Sequence, residues 1–371
     1  MNHLQNDWFS VDNIHQVDSP ALLIYVDKVN ENIHILKSMV KDVAILRPHV
    51  KTNKIAEVCQ MMLDAGICKF KCATIAEADM LGSIQAPDVL VSYQPVGPKV
   101  GRFLELVKMY AFTRFSCLVD NLDNAKAINQ MCQANDIIID VFIDLNVGMN
   151  RTGILPEDAW TLFKQILPLK NIKIVGLHAY DGHIRDTDLS QRQQKSDEGF
   201  RRVLALAEQL KNVANQPITI VVGGTPTFPT HAHRDNVECS PGTFIFWDWG
   251  YDHILPDEDF VYAALVLTRV ISIVDNQTIC LDLGHKSVAA ENPLPRVHFL
   301  NVPDATPVSQ SEEHLVVNME DALKYKIGDV FYGVPVHICP TVALYDKAQV
   351  VIDKNVQTTW DVVARNRFIH V

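Results

Sequence analysis

Lys51 stands in the run Arg47-Pro48-His49-Val50-Lys51-Thr52-Asn53-Lys54, between the apolar stretch Val43-Ala44-Ile45-Leu46 and a helix-like stretch from Ile55 to Ala65. A lysine at the C-terminal end of a strand points into the mouth of an α/β barrel, where a lowered pKa makes it a nucleophile for a carbonyl. By itself it is one of 33 Lys and Arg, most of which must be solvated, so its companions decide. Two glycine–threonine turns, Gly223-Gly224-Thr225-Pro226 and Ser240-Pro241-Gly242-Thr243, each follow a short apolar segment. Bare backbone N–H groups and a hydroxyl in such turns can cradle a phosphate, although one such turn alone more often only reverses the chain. A third signal is the pair His337 and Cys339. On a strand, residues i and i+2 face the same way and can share one soft divalent metal, for which thiolate with imidazole favours zinc. A lone pair of this kind is more often coincidence than a metal site.

The elements that must position these residues read as a barrel followed by a β domain. Strand candidates are Val43–His49, Lys69–Thr74, Asp88–Tyr93, Phe115–Val119, Ile137–Leu145, Ile172–Tyr180, Ile218–Val222 and Val237–Cys239. Helical patterns fall between most of them, among them Asn121–Asn135 and Leu189–Val213. The strands are β-branched and nearly continuously apolar, as when both faces of a parallel sheet are buried. Eight such units predict a (β/α)8 TIM-type barrel over 28–255, with a doubly wound open sheet as the alternative. From 256 to 371 longer strands and turns such as Lys326-Ile327-Gly328-Asp329 predict a mainly antiparallel β domain, to which 1–27, with the strand Ala21–Val26, contribute. Barrel chemistry sits at the C-terminal strand ends, with phosphate after strands 7 and 8. The two glycine–threonine turns occupy those positions, opposite the strand-1 lysine. Lysine and phosphate together suggest pyridoxal 5'-phosphate held as a Schiff base.

Composition narrows the class. A net charge of -11 without a basic stretch argues against nucleic acid. No apolar run is long enough to span a membrane, and Met1–Asp7 lacks the basic and apolar regions of a signal peptide. The eight cysteines form no CxxC pair and read as reduced thiols of a cytoplasmic protein.

The run Arg47-Pro48-His49-Val50-Lys51-Thr52 resembles the cofactor-lysine motif of the D-serine dehydratase and D-threonine aldolase family, pyridoxal-phosphate enzymes of the alanine-racemase fold type (fold type III). The resemblance continues in order through Cys72-Ala73-Thr74-Ile75-Ala76-Glu77-Ala78, Gly148-Met149-Asn150-Arg151-Thr152-Gly153, Gly223-Gly224-Thr225-Pro226, Ser311-Glu312-Glu313-His314 and Pro335-Val336-His337-Ile338-Cys339-Pro340-Thr341. It departs at Asn53, where the family usually has His. It implies that Lys51 carries the cofactor and moves the substrate proton. It also implies that Arg151 lies near the cofactor's phenolic oxygen and that Tyr180 lies against its ring or ring nitrogen. Arg151 alone reads otherwise as a surface or loop-bracing arginine, a reading that Met149-Asn150-Arg151-Thr152-Gly153 at a strand end outweighs, whereas Tyr180 reads nearly as well as a core tyrosine. It further implies an active-site Zn2+, or another divalent ion such as Mn2+, on His337 and Cys339, and a homodimer in which the run Phe244–Trp249 could form contacts, although such a run more usually packs inside. His314 is read as a core or surface histidine before a metal contact. Asp181-Gly182-His183 is expected at the barrel mouth within reach of substrate, His231 and His233 are expected to pack around the Gly223 turn, and spacing gives His178 and His285 no role.

What the resemblance implies chemically is a lyase acting on a D-β-hydroxy amino acid. Loss of the α-proton and of hydroxide gives a 2-oxo acid and ammonia; loss of the hydroxyl proton with Cα–Cβ cleavage gives glycine and an aldehyde. Dehydratase members tend to carry His-x-Cys and the better-known aldolases His-x-Asp. A D-serine-type dehydratase is therefore expected ahead of a D-threonine aldolase, with a D-3-hydroxyaspartate dehydratase as a further reading. An amino-acid racemase would need no metal pair, and a non-catalytic pyridoxal-phosphate carrier would need no β domain.

Overall fold

The computed structural model describes residues 7–214 and 218–371, so the leader-free reading of the N-terminus lies almost wholly outside the described residues. Two compact units result. One comprises Leu36–Lys51, Cys59–Gly242 and Asn366–Val371; the other takes the N-terminal residues up to Ile35, Thr52–Val58 and Thr243–Arg365. Among the described residues no helix is long and apolar enough to cross a membrane, and no disulfide links the cysteines.

The first strand of the chain, β1 (Ala21–Tyr25), belongs to the second unit. The first unit is built on β2 (Lys69–Cys72), β3 (Asp88–Val91), β4 (Arg114–Val119), β5 (Ile139–Leu145), β6 (Ile172–Ala179), β7 (Thr219–Val222) and β8 (Val237–Cys239). They pair in parallel in chain order. Helices between successive strands cover the outer face, which is why these strands read as continuous apolar runs. The inner face is filled by Leu90, Leu118, Phe142, Val175 and Val221, one from each of five successive strands. Gly176 makes room for that plug: a Cβ there would lie 2.5 Å from the Phe142 ring and 2.3 Å from the Thr219 carbonyl oxygen.

The barrel class expected from the sequence holds, but its first strand does not. Val43–Ile45 is a 3-10 turn, capped by the Asp42 side chain accepting from Ala44 N–H. Only the following residues are extended, bridging Leu46 to Cys239 of β8 and His49 to Lys71 of β2. The segment bonds alternately to both sides: Arg47 N–H to Cys239 O (2.8 Å), His49 N–H to Pro241 O (2.9 Å), Val50 N–H to Lys71 O (2.9 Å) and Lys71 N–H to Pro48 O (2.8 Å). Pro48 has no N–H to extend a ladder, so a stave of two isolated bridges joins the edges of the seven-stranded sheet.

One buried side chain fastens that stave. Arg47, 2% exposed, donates from Nε to Glu238 on β8 (2.6 Å) and from Nη1 to Asp88 on β3 (2.6 Å), with a longer bond to Phe70 O (3.3 Å). Lys69 reaches the other oxygen of Glu238 at 2.5 Å. Burial opposes the guanidinium charge, but Glu238 and Asp88 outweigh it and raise its pKa.

The second unit is a mainly antiparallel sheet. It uses β1 with β9 (Ala264–Ile273), β10 (Thr278–Leu281), β11 (Val297–Phe299), β12 (Thr306–Gln310), β13 (Leu315–Asn318), β14 (Val330–Pro335), β15 (Lys347–Ile352) and β16 (Asn355–Asp361). The order is β12-β13-β10-β9-β1-β15-β16, with β14 on β9 and β11 on β14; the β1–β15 pair is parallel. One core gathers Val266, Ile279, Leu315 and Phe331, the other Leu23, Tyr25, Leu265 and Val334. Phe244, Ile245, Phe246 and Trp247 are buried, with Phe244 and Trp247 against Phe260, while Trp249 is half-buried and stacks with His253 and His298.

Arg47→Met is expected to destabilise the protein by about 3 kcal/mol, because it removes the buried cation that Asp88 and Glu238 share, leaving Glu238 to Lys69 and Asp88 to the more distant Arg114. Asp88→Asn, which keeps the Glu238 pair, should cost distinctly less. Urea unfolding of both variants checks this, and equal midpoints would refute the clamp.

Candidate active site

The mouth of the barrel gathers charged groups from four strand ends. Lys51 follows the stave, Lys71 lies on β2, Asp144 on β5 and His178 on β6, with Tyr180 just after β6. A cavity there is lined by Lys51, Lys71, Asp144, Arg151, His178 and Tyr180, with Ser92, Met149 and Thr152 at its margin. Three cations face one ring: Arg151 at 5.2 Å, Lys71 at 5.4 Å and Lys51 at 6.0 Å from the Tyr180 centroid. The ring has its place because two neighbours lack side chains. A Cβ on Gly182 would lie 2.0 Å from the Tyr180 hydroxyl oxygen, and one on Gly224 would lie 2.9 Å from a ring carbon.

Beneath the ring runs a buried polar chain. His178 Nδ1 lies 2.7 Å from Asp144 Oδ1 and its Nε2 lies 3.5 Å from Lys71 Nζ. Gln94 donates to the other Asp144 oxygen (2.8 Å) and to Asp120 (2.9 Å). Burial disfavours the Asp144 carboxylate, but hydrogen bonds from His178, Thr152 and Gln94 prevail and lower its pKa. Burial lowers the pKa of His178, with Lys71 and Arg151 acting in the same sense against Asp144. Burial and the Lys51 cation bring Lys71 down to about 7, against Asp144 and Asp181.

The turn expected as a cradle follows β7, with Gly223 N–H donating to Ala179 O (3.3 Å). Gly223 has φ +72°, and a Cβ there would meet His231 at 2.8 Å. The two glycine–threonine turns touch, since Gly242 N–H donates to Thr225 Oγ1 (3.1 Å). Thr227 holds the turn from behind, accepting from Gly224 N–H (3.4 Å) and donating to Asp181 (2.6 Å). Asp181 in turn pairs with His231 (2.8 Å). His231 thus packs around the turn as expected, whereas His233 and His183 are exposed.

In the β unit, His337 and Cys339 are not on a strand. β14 stops at Pro335, and His337 caps the short helix Ile338–Val342, with Cys339 in its first turn. Pro340 is tolerated in a first helical turn, where N–H groups lack intrahelical acceptors, and Thr341 Oγ1 donates back to His337 O (2.8 Å). The same-face argument from strand geometry therefore fails, yet the two side chains interact. Burial works against charge on His337, but the hydrogen bond and charge of Cys339, with Asp248 and Glu291, raise it to about 9. Glu291 Oε1 is 2.5 Å from His337 Nδ1. Cys339 Sγ lies 3.1 Å from Thr52 Oγ1 and 3.6 Å from Thr243 Oγ1. Among the described residues no three His, Cys, Asp or Glu side chains converge in a metal-binding group. His314 is exposed, in a turn closed by Ser311 N–H to its carbonyl (2.9 Å), and His285 is exposed as well.

Lys71 and Asp144 were not singled out from the sequence, and His178 was given no role. The available signal was a charged or polar residue interrupting an apolar strand near its C-terminal end, as in Lys69-Phe70-Lys71-Cys72 and Phe142-Ile143-Asp144-Leu145.

Comparison with known proteins agrees with this architecture. Residues 24–248 match the family model described as alanine racemase, N-terminal domain, and residues 263–351 match a putative serine dehydratase domain. A D-threonine aldolase of Arthrobacter sp is 28% identical over 95% of this chain and 94% of its own. A D-threo-3-hydroxyaspartate dehydratase of Delftia sp. is 22% identical over 94% and 98%. The crystal structure of D-threonine aldolase from Filomicrobium marinum superposes with a TM-score of 0.85 at 24% identity, over 94% of this chain and 95% of that one. The chain belongs to the alanine racemase N-terminal domain family, with a putative serine dehydratase domain following it.

Proposed function

We propose that the protein is a pyridoxal-phosphate- and metal-dependent lyase of D-β-hydroxy amino acids. The observation that carries this reading is the convergence of Lys51, Lys71 and Arg151 on the Tyr180 ring, beside a turn whose glycines cannot take a side chain. A Cβ on Gly223 would strike His231 and one on Gly224 the Tyr180 ring, and the surplus of cations suits a ligand carrying phosphate. In this reading Lys51 holds the cofactor's aldehyde carbon. Gly223, Gly224, Thr225, Gly242 and Thr243 hold its phosphate, and Arg151 and Tyr180 hold its ring. The cofactor, when bound, supplies an electron sink for charge developing at the substrate α-carbon. The Lys51 amine, freed when substrate takes its place, accepts or returns the substrate proton. Arg151 keeps a fixed positive charge beside the ring, and Tyr180, wedged between Gly182 and Gly224, keeps the ring's plane.

His337 and Cys339 would hold a soft divalent ion such as zinc, with Glu291 orienting the imidazole as carboxylates do in metal sites. Such an ion supplies Lewis acidity to the substrate's hydroxyl. The cysteine in this pair places dehydration to a 2-oxo acid and ammonia first. Retro-aldol cleavage is the second reading, supported by the 28% identity to a D-threonine aldolase.

Lys51→Ala is expected to abolish the visible absorbance of added pyridoxal phosphate and to lower turnover by roughly three orders of magnitude or more. Retention of both would sink the reading.

Incubation with D-threonine, pyridoxal phosphate and zinc separates the two lyase reactions. 2-Oxobutanoate with ammonia is the expected product pair, and glycine with acetaldehyde would give the site to the aldolase. A chelator should remove the activity and added zinc restore it; full activity after chelation would remove the metal from the mechanism.

A further inference from the structure

Lys71 lines the cavity of Lys51 but has no part in the reaction proposed above. It is 2% exposed. Its backbone is fixed from both sides, its N–H donating to Pro48 O (2.8 Å) and its carbonyl accepting from Val50 N–H (2.9 Å), while β2 and β3 pair it with Leu90. Side chains alternate along a strand, so this register commits Lys71 to the cavity that it lines. Its amine meets His178 Nε2 at 3.5 Å and the Tyr180 ring at 5.4 Å. It reaches the Asp144 carboxylate through the imidazole, whose Nδ1 lies 2.7 Å from Asp144 Oδ1.

The groups facing this amine are nearly balanced. From the stave come the cations Arg47 and Lys51; from β5 and its loop, Asp144 and Arg151; from β6 and the turn after it, His178, Tyr180 and Asp181. Burial and the Lys51 cation bring Lys71 to about 7, so this amine gives up its proton far more readily than a solvated one. We propose that Lys71 is a titratable positioning residue of the Lys51 cavity, setting whether the Tyr180 ring faces three cations or two. Above about pH 7 the Lys71 ammonium gives its proton to solvent and leaves a neutral amine beside His178 Nε2; no other bond changes. With Lys71 charged, the cavity holds an anionic ligand more tightly. With Lys71 neutral, the hold loosens. This rests on the proposed function in one respect, that the ligand is pyridoxal phosphate.

The first test needs no cofactor. The folded-state pKa of Lys71 lies below that of an unfolded lysine, about 10.4. Between about 7 and 10.4 the unfolded chain therefore binds more protons, and this residue's contribution to stability rises with pH. Lys71→Met lacks that term. Melting temperatures of the protein without added cofactor should show Lys71→Met gaining most over wild type at pH 6, with the gain shrinking toward pH 10. A difference constant across that range would overturn the proposal, since a merely structural lysine gives that result. The second test reads the cavity. Lys71→Arg carries a fixed cation, so its dissociation constant for pyridoxal phosphate, relative to wild type, should fall by roughly fivefold between pH 6 and pH 9. Parallel pH dependence in the two proteins would overturn the link from Lys71 to the ligand. Absence of any pyridoxal phosphate binding by wild type would instead sink the proposed function, while the melting series still judges Lys71.

Discussion

The barrel depends on the attachment of five extended residues, Leu46 to Val50, to strands on both sides. Two isolated bridges would hold such a stave weakly. Arg47 adds a buried, charge-assisted tie to β3 and β8, whose carboxylates approach to 2.6 Å. A pair of this kind is poor evidence of net stability, because both partners must be desolvated. Its value lies in direction: a guanidinium presents its donors in a fixed fork, and this fork fits one register of the stave. That register sets His49 against Lys71 and delivers Lys51 at the mouth. The anchor lies four residues before the amine it places.

The mouth shows how a barrel interior accommodates charge. The plug of Leu90, Leu118, Phe142, Val175 and Val221 is apolar, while the cavity at the strand ends carries two lysines, an arginine, a histidine and an aspartate. Cations spread around an aromatic face repel one another less than cations placed on one another, and each gains from the ring's quadrupole. Tyr180 can serve three of them because Gly182 and Gly224 leave its edges open. Gly224 of the phosphate-type turn thus makes room for the ring while its own N–H donates to Thr227.

What the sequence made legible was whatever the backbone itself determines. Parallel strands buried on both faces read as apolar runs, and glycine–threonine turns read as turns, so the barrel class and the neighbourhood of Lys51, Gly223 and Gly242 were accessible. Val43-Ala44-Ile45 was misassigned because a short apolar run has the same composition in a 3-10 turn as in a strand. The strand reading of His337-Ile338-Cys339 failed because an isolated HxC has no period of its own, and prolines on both sides end β14 and start a helix. Lys71 was invisible for a different reason. In Lys69-Phe70-Lys71-Cys72 the alternation makes both lysines look solvated, yet Lys69 pairs with Glu238 at 31% side-chain exposure while Lys71 is buried in the barrel. Closure of the sheet inverts the usual meaning of a polar face, and closure is a tertiary fact.

The two reactions under consideration place different demands on these residues. Both require negative charge to develop next to the substrate α-carbon, and the cations around Tyr180 answer that need without distinguishing between them. They differ in the fate of the hydroxyl group: it departs in dehydration, whereas in cleavage it loses its proton and its oxygen becomes a carbonyl. Discrimination therefore belongs to whatever touches that hydroxyl. Under the proposed function the candidates for that contact are His337, held by Glu291, and Cys339, with the Thr52 and Thr243 hydroxyls against its sulfur. A thiolate donates more charge to a soft ion than a carboxylate does, which weakens the ion's power to acidify a bound hydroxyl. Under the proposed function the barrel's own residues serve either lyase alike.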